Sequence, residues 1–416
     1  MNLLYLAHRI PYPPDKGDKI RSFHQVRGLS ERHTIHLVTF ADAREDLAHA
    51  AAMRRYCRSV EVVYRNPRTA LLRAGLAVLT GDSLSAAAFH SGTLQRAVEK
   101  LLATERIDAA IVFSSAMAQY LPYPPPIPLI LDMVDVDSEK WRRYGETLGP
   151  PRSWIYQLEG TRLASFEDRW GNASDRCVVA ARAEAVLLEG RLRTPVSVLT
   201  NGVDLEYLRP AEPAEAREGG PDLVFVGMMD YFPNEDAVTY FASQVLPLVR
   251  SSVAGTTFTI VGRNPTSRVR SLSRLPGVRV TGAVPDVRPH VAAAALSVAP
   301  FRIARGIQNK VLEAMAMARP VVGTALGFQG LSATVSDGIH IADDSEGMAR
   351  EIVALLNHPE VARERGRRAR AYVERAHRWD VHVAALESML EEARSERGTR
   401  APGASVGGDL PAATGA

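Results

Sequence analysis

Arg305-Gly-Ile-Gln-Asn-Lys-Val-Leu-Glu-Ala-Met-Ala-Met-Ala-Arg-Pro-Val-Val322 is the stretch on which the fold turns. It follows a short apolar run, Leu296 to Ala299, closed by Pro300. Gly306 opens a loop, and the apolar spacing predicts a helix from near Asn309 that stops before Pro320, where a second apolar run begins. Strand, glycine loop, helix and strand form the repeating unit of a parallel sheet covered by helices. The helix start leaves backbone N–H groups unpaired at a positive dipole end, which suits a phosphate. Lys310 can add a point charge to a diphosphate. Glu313, one turn further in, can accept two hydrogen bonds from vicinal hydroxyls such as those of ribose. Read in isolation, both side chains also fit the exposed face of an ordinary amphipathic helix.

Working outward, the unit recurs along the chain in two sets. Leu3 to Ala7, Ile35 to Phe40, Val60 to Tyr64, Ala109 to Phe113, Leu129 to Leu131 and Cys177 to Ala180 read as strands of a first set. Helices such as Ile20 to Leu29 and Leu94 to Thr104 separate them. Leu223 to Val226, Phe258 to Val261, Val278 to Thr281, Leu296 to Ala299 and Pro320 to Val322 read as a second set. A chain of 416 residues exceeds what one core organises, so two domains are expected. The stretch from Tyr207 to Pro221 is rich in Pro, Gly and charge and has no apolar period. The expected division is a first domain over 1–205, a linker over 206–221 and a second domain over 222–380. A helix over 381–397, with Leu386, Met389 and Leu390 on one face, is expected next, followed by an unordered tail over 398–416. In doubly wound sheets ligands sit beyond the carboxyl ends of the strands, so the cleft between the domains is the expected site.

Apolar residues at 46% and charged residues at 23% exclude both a disordered chain and one built of membrane spans. The opening Met1 to Ile10 lacks the basic head and cleavage site of a signal peptide and reads as a buried strand. Cys57 and Cys177 are the two cysteines, too few for a disulfide framework or a metal cluster, which fits a reducing cytoplasm. The net charge of +3 is too even for a nucleic-acid binder. One local excess, Arg54, Arg55, Arg58, Arg65, Arg68 and Arg73 with only Glu61 among them, precedes the apolar Ala74 to Leu79. That stretch suits anionic headgroups of an inner membrane or a phosphorylated acceptor, and it also fits a solvated basic surface.

The segment opening this section resembles the helix of family-4 glycosyltransferases, Glu-Gly-Phe-Gly-x-x-x-Leu-Glu-Ala-Met-Ala-x-Gly-x-Pro-Val-Val. Gly306, Leu312, Glu313, Ala314, Met315, Ala316, Pro320, Val321 and Val322 match it. Asn201-Gly-Val-Asp204 with Pro210 is similar to the family's hinge signature, and Val224 to Gly227, Ile260 to Gly262 and Val280 to Gly282 resemble its strand-to-glycine elements. Ile130 to Ser138, Met229 to Asn234 and Gly306 to Ala316 look like the sugar transferases that accompany exosortase and PEP-CTERM sorting systems, which implies exopolysaccharide synthesis. The resemblance implies an α/β GT-B fold: two doubly wound Rossmann-like domains facing a deep cleft, with the last helix crossing back to the first domain. It also implies a retaining transferase that uses a nucleoside diphosphate sugar as donor, a glycan or lipid-linked acceptor, and neither metal nor further cofactor.

On that resemblance the donor is expected at Gly17, Gly227, Arg305, Gly306, Asn309, Lys310 and Glu313. Two departures stand out: Arg305 occupies the place of the first motif glutamate, and Gly227 is followed by Met228, Met229 and Asp230 instead of the family's phosphate-binding Arg and Lys. Lys310 and Arg305 are the expected substitutes. Lys16, Lys19 and Arg21, beside Gly17, are expected to meet anions. Asp132, Asp135 and Asp137 follow an apolar run at a strand's carboxyl end, where Asp132 or Asp135 can bond the sugar or take the acceptor proton, and Asp137 or Ser138 can cap a helix. Three carboxylates so close also suit magnesium, but GT-B enzymes generally stabilise the leaving diphosphate with dipoles and basic residues. Two other readings stand beside transfer: a catalytically weak nucleotide-binding or glycan-binding scaffold, and a nucleotide-sugar epimerase. A dinucleotide dehydrogenase does not, since neither half has Gly-x-Gly-x-x-Gly after its first strand.

Overall fold

The computed structural model describes residues 1–147, 149–210, 220–304 and 306–399. The first sheet contains β1 (Asn2–Ala7), β2 (Thr34–Ala41), β3 (Ser59–Tyr64), β4 (Ala109–Phe113), β5 (Leu129–Val134), β6 (Arg176–Val179) and β7 (Val196–Val198), in the order β3-β2-β1-β4-β5-β6-β7. The second contains β8 (Asp222–Val226), β9 (Thr257–Val261), β10 (Val278–Gly282), β11 (Leu296–Ala299), β12 (Val321–Gly323) and β13 (Ile339–Ile341), in the order β10-β9-β8-β11-β12-β13. The named strands pair in parallel throughout. Strand order reverses direction beside β1 and beside β8, which opens a crevice at the carboxyl ends of each sheet.

Parallel strands covered on both faces read as unbroken apolar runs, which is why β1, β4 and β5 are legible in sequence. Alternation then sends Leu4 and Leu6 to one core and Leu3, Tyr5 and Ala7 to the other. β7 and β13 are three residues each, lie at sheet edges and are only partly covered, so they carry no such run. The helices that place the site are α1 (Gly17–Leu29), α2 (Pro67–Thr80), α3 (Leu84–Ala88), α4 (Gly92–Thr104), α5 (Asp137–Thr147), α6 (Arg152–Ala173), α7 (Phe232–Tyr240), α8 (Asn309–Ala316) and α9 (Trp379–Thr399).

α9 crosses back to the first domain as expected, because Val383, Leu386, Leu390 and Ala393 enter the core that holds Leu3, Val26 and Leu29. Gly28 on α1 permits this approach: a Cβ there would stand 2.6 Å from a methyl of Val383. Where the chain returns, the Trp379 indole covers Gly202 and stacks on His24 at 4.6 Å, and Val203 pairs with Arg378. α9 runs to Thr399, so Gly398 and Thr399 belong to the helix and not to a tail; residues 400–416 lie outside the described residues, as do 211–219 of the expected linker.

Candidate active site

The first domain contributes the loop after β1 and the start of α1. Arg9 bonds Asp18 at 2.8 Å and Asp42 at 2.6 Å, and His8 lies 3.1 Å from Asp18. Burial opposes the charge on Asp18, yet His8 and Arg9 hold its carboxyl well below the usual range. This ion cluster fixes the loop, so that the first turn of α1 presents Gly17 and unpaired backbone N–H groups toward the other domain.

Deeper in, Arg21 and Asp132 are both fully buried. The guanidinium donates to Asp132 from Nε at 2.9 Å and from Nη2 at 3.2 Å, while Gln25 and the Val134 backbone N–H complete the carboxylate's partners. Nη1 of Arg21 reaches the Leu199 carbonyl and the Asn201 side chain. Beyond Asp132 the β5–β6 register slips, and Val134 takes a φ of +65°. A β-branched residue in that region is strained, and such strain is held only where its surroundings demand it. Here it turns the chain so that Asp135 comes against Gly306 of the second domain.

The second domain contributes α8 and the loops after β8 and β9. Gly306 has a φ of +65° and a Cβ there would lie 2.9 Å from Asp135 Oδ1, so both its backbone conformation and its neighbour require glycine. Asn309 and Lys310 form the first turn of α8, whose preceding Gln308 offers no side-chain cap. Lys310 Nζ donates to Asn234 Oδ1 at 3.0 Å and lies over the Phe301 ring at 4.8 Å. Its stem approaches Gly227, where a Cβ would stand 3.3 Å away. Lys310 as a whole is partly exposed, but its ammonium is crowded by protein, and that burial pushes its pKa down to about 8, with Glu313 opposing the fall. Burial likewise raises the Glu313 carboxyl, against the pull of Lys310.

The two halves meet through polar contacts. Arg263 donates to Asp15 at 2.7 Å, and Asn201 donates to Asn309 at 2.9 Å. A Cβ at Gly17 would lie 3.3 Å from Asn309 Nδ2, so the starts of α1 and α8 face each other with their positive ends inward. On the flank, Tyr144 of α5 bonds Tyr231, and Lys140 lies beside both. Burial pulls the Lys140 pKa down, but Asp137, the two tyrosines and Asp135 outweigh it and raise it.

The structure brings together Gly17, Asp135, Gly227, Gly306, Asn309, Lys310 and Glu313. It corrects other expectations. Arg21 cannot meet an acceptor or a membrane, because it is buried against Asp132; for the same reason Asp132 is not available to a sugar or a proton. Lys19 is also buried, 3.9 Å from Asp15, while Lys16 stays half-buried beside Gly17. Asp132, Asp135 and Asp137 diverge, and among the described residues no three His, Cys, Asp or Glu side chains are grouped to hold a metal ion. Arg54 and Arg58 are exposed at the start of β3, whereas Arg65 and Arg68 lie beyond its other end, which divides the expected basic stretch. Arg305 lies outside the described residues. Sequence reading gave Asn201, Tyr231 and Asn234 only as members of motif stretches, without a role, and did not single out Lys140; the structure makes Asn201 and Asn234 polar contacts and sets Lys140 and Tyr231 together on the flank. Surface hollows beside Asp222 and Thr259, and around His24, Arg27 and Trp379, lie at strand amino ends and at the crossing of the chain, away from this cleft.

Residues 220–358 match the family model described as "Glycosyl transferases group 1". No curated protein matches the chain. Among solved structures, Anabaena Alr3699/HepE in complex with UDP and glucose is 14% identical with a TM-score of 0.64, covering 94% of this chain and 100% of its own. Sucrose-phosphate synthase from Thermosynechococcus elongatus is 15% identical with a TM-score of 0.72, covering 95% and 100%. WaaG, a glycosyltransferase involved in lipopolysaccharide biosynthesis, is 14% identical with a TM-score of 0.60, covering 95% and 99%. At these identities the likeness establishes architecture: the chain has the GT-B fold, and its second domain carries the segment that matches the group 1 glycosyl transferases.

Proposed function

We propose that this protein transfers a glycosyl group from a nucleoside diphosphate sugar to an acceptor hydroxyl. The observation that carries this reading is the meeting of two helix starts, at Gly17 and Asn309, beside the buried ammonium of Lys310. A diphosphate seated there gains charge-assisted hydrogen bonds from both helix starts, and Lys310 stabilises the negative charge that grows on it as the glycosidic bond breaks. Glu313, one turn into α8, holds the ribose hydroxyls. Asp135, which reaches Gly306 from the first domain, orients the acceptor hydroxyl on the opposite wall.

Transfer with retention and without a metal, the place in family 4, and a role in exopolysaccharide assembly beside an exosortase system in the cytoplasm extend this proposal on the motif resemblance. The structural relatives that hold UDP and glucose, or act in lipopolysaccharide biosynthesis, agree with a sugar-nucleotide donor and a surface-glycan acceptor.

The test is calorimetry and nucleotide release over a panel of nucleoside diphosphate sugars, with Glu313→Ala as the comparison. One donor is expected to bind and hydrolyse slowly. Loss of hydrogen bonds to a charged group costs about 1.5–3 kcal/mol, so the variant should bind that donor roughly tenfold to a hundredfold more weakly. Donor binding without turnover in the presence of any acceptor would favour the scaffold reading, and a changed sugar without an acceptor would favour an epimerase.

A further inference from the structure

α2 is built the wrong way round for a helix in water. Its buried side chains are Ala70 and Ala77, seven residues apart, while Leu71, Leu72, Leu76 and Leu79 are 74%, 68%, 63% and 84% exposed. The segment is nonetheless a well-terminated helix: Asn66 accepts from the Arg68 N–H, Pro67 opens the first turn, and Gly81 closes it at a φ of +83°. Small residues therefore face the protein and large apolar ones face out.

The start of α6 extends the same surface. Arg162 of α6 donates to the Ala77 and Val78 carbonyls at the end of α2, which places the preceding turns of α6 beside that end. Those turns expose Trp154 at 67% and Ile155 at 50%. The exposed charges on this face are mainly cationic. Residues 66–81 carry the exposed Arg68 and Arg73 and no acid, with Asp82 following at the helix end, and residues 149–158 carry the exposed Arg152 and no acid; Arg65, just before α2, is half-buried and paired with Asp42. The first carboxylate on α6, Glu159, is turned inward onto the backbone N–H groups of Leu84 and Ser85. Leucines, an indole and an excess of arginines over acids are the composition of a helix lying in a lipid interface, with apolar chains at the acyl boundary and cations among the headgroups. Among the described residues no helix is long and apolar enough to cross a membrane.

We propose that this face, α2 with the start of α6, docks the protein on an anionic lipid bilayer. The docking does not depend on the glycosyl-transfer reading. If that reading holds, the α5–α6 pair links the bilayer to the cleft, since α5 carries Lys140 and Tyr144 against Tyr231. A lipid-borne acceptor would then enter along it.

The experiment is flotation of the full chain with vesicles of phosphatidylglycerol mixed with phosphatidylcholine, beside vesicles of phosphatidylcholine alone. The protein is expected to float with the anionic vesicles, less so as salt rises, and weakly with the neutral ones. Leu72→Ser with Leu79→Ser should lower partitioning at least about tenfold, and Arg68→Ser with Arg73→Ser should lower it about tenfold on anionic vesicles only. The leucines are exposed, so their variant's melting curve should not move, while loss of the Arg73 bond to the His90 carbonyl should shift the arginine variant's only slightly. As a second readout, vesicles should shift the tryptophan emission to the blue, and Trp154→Phe should abolish most of the shift. Absence of anionic-vesicle binding, or variants that bind like the parent, would overturn the proposal. So would a dimer in light scattering that the leucine variants dissolve while vesicles capture nothing, which would make a second copy of the chain the occupant.

Discussion

Raising the pH should release the nucleotide, and Lys310 sets where. Its Nζ donates to the neutral Asn234 and Gln308 and sits over the Phe301 ring; the acid that helps it is Glu313, itself buried and reluctant to ionise. Burial has moved its pKa from 10.5 down to about 8. A diphosphate placed beside it favours the ammonium and moves that pKa up again. The complex therefore holds a proton that the free protein loses above pH 8, and by linkage the affinity is level below that pH and falls as pH rises through it. With a free-protein pKa of about 8, roughly 3% of Lys310 is charged at about pH 9.5, so binding should weaken about 30-fold between pH 7 and that point. The nucleoside diphosphate selected by the donor panel, titrated by calorimetry across this range, gives the curve. Lys310→Met should bind weakly at every pH and show no such slope. A parent protein whose affinity stays level to pH 9.5, or a variant that keeps the slope, would falsify the placement of Lys310 at the diphosphate.

Two further changes test the framework behind the site. Arg21→Met leaves the Asp132 carboxylate buried without its cation and should cost about 3–5 kcal/mol, read in urea by tryptophan emission, which reports the first domain through Trp141, Trp154 and Trp170; adding Asp132→Leu should restore part of it, and no recovery would argue against an ion pair as the cause. Gly28→Ala drives a methyl into Val383 and should cost about 1–3 kcal/mol by the same assay, whereas an unchanged midpoint would mean that α9 does not pack on α1 this closely.

The fold was legible because its signals are local. Apolar runs such as Leu3 to Ala7 and Ala109 to Phe113 are buried on both faces, and each sits in the strand its pattern predicts. α8 and Gly306 were legible for the same reason, since a glycine and a helix start are consecutive in sequence. What stayed hidden depends on partners far along the chain. Arg21 and Asp132 are 111 residues apart, and nothing around either one distinguishes a buried ion pair from two residues facing a ligand. Asn201 and Asn309, 108 apart, are equally silent. The arginines between 54 and 73 misled in the opposite direction: they are neighbours in sequence, but β3 runs between them and carries the two groups to opposite ends of an edge strand.

The buried pair also explains how a site assembled from two domains keeps its register. Asp132 fixes the Arg21 guanidinium, Arg21 donates to the Asn201 side-chain Oδ1 at 3.0 Å, and the Asn201 side-chain NH2 in turn donates to Asn309 at the start of α8. The His377 ring binds the Asn201 backbone carbonyl, so the chain's return crossing is tied to the same residue. Each link is a short polar contact with a defined direction, and the first two are shielded from water, where hydrogen bonds hold their geometry best. A carboxylate that sequence position recommends for chemistry thus acts here through position: by anchoring Arg21 it sets where the first turn of α8 stands against Gly17. That is also why Arg21→Met, a change with no contact to the diphosphate, should weaken nucleotide binding along with the fold, while Asp135, three residues beyond Asp132, is set against Gly306 of the second domain.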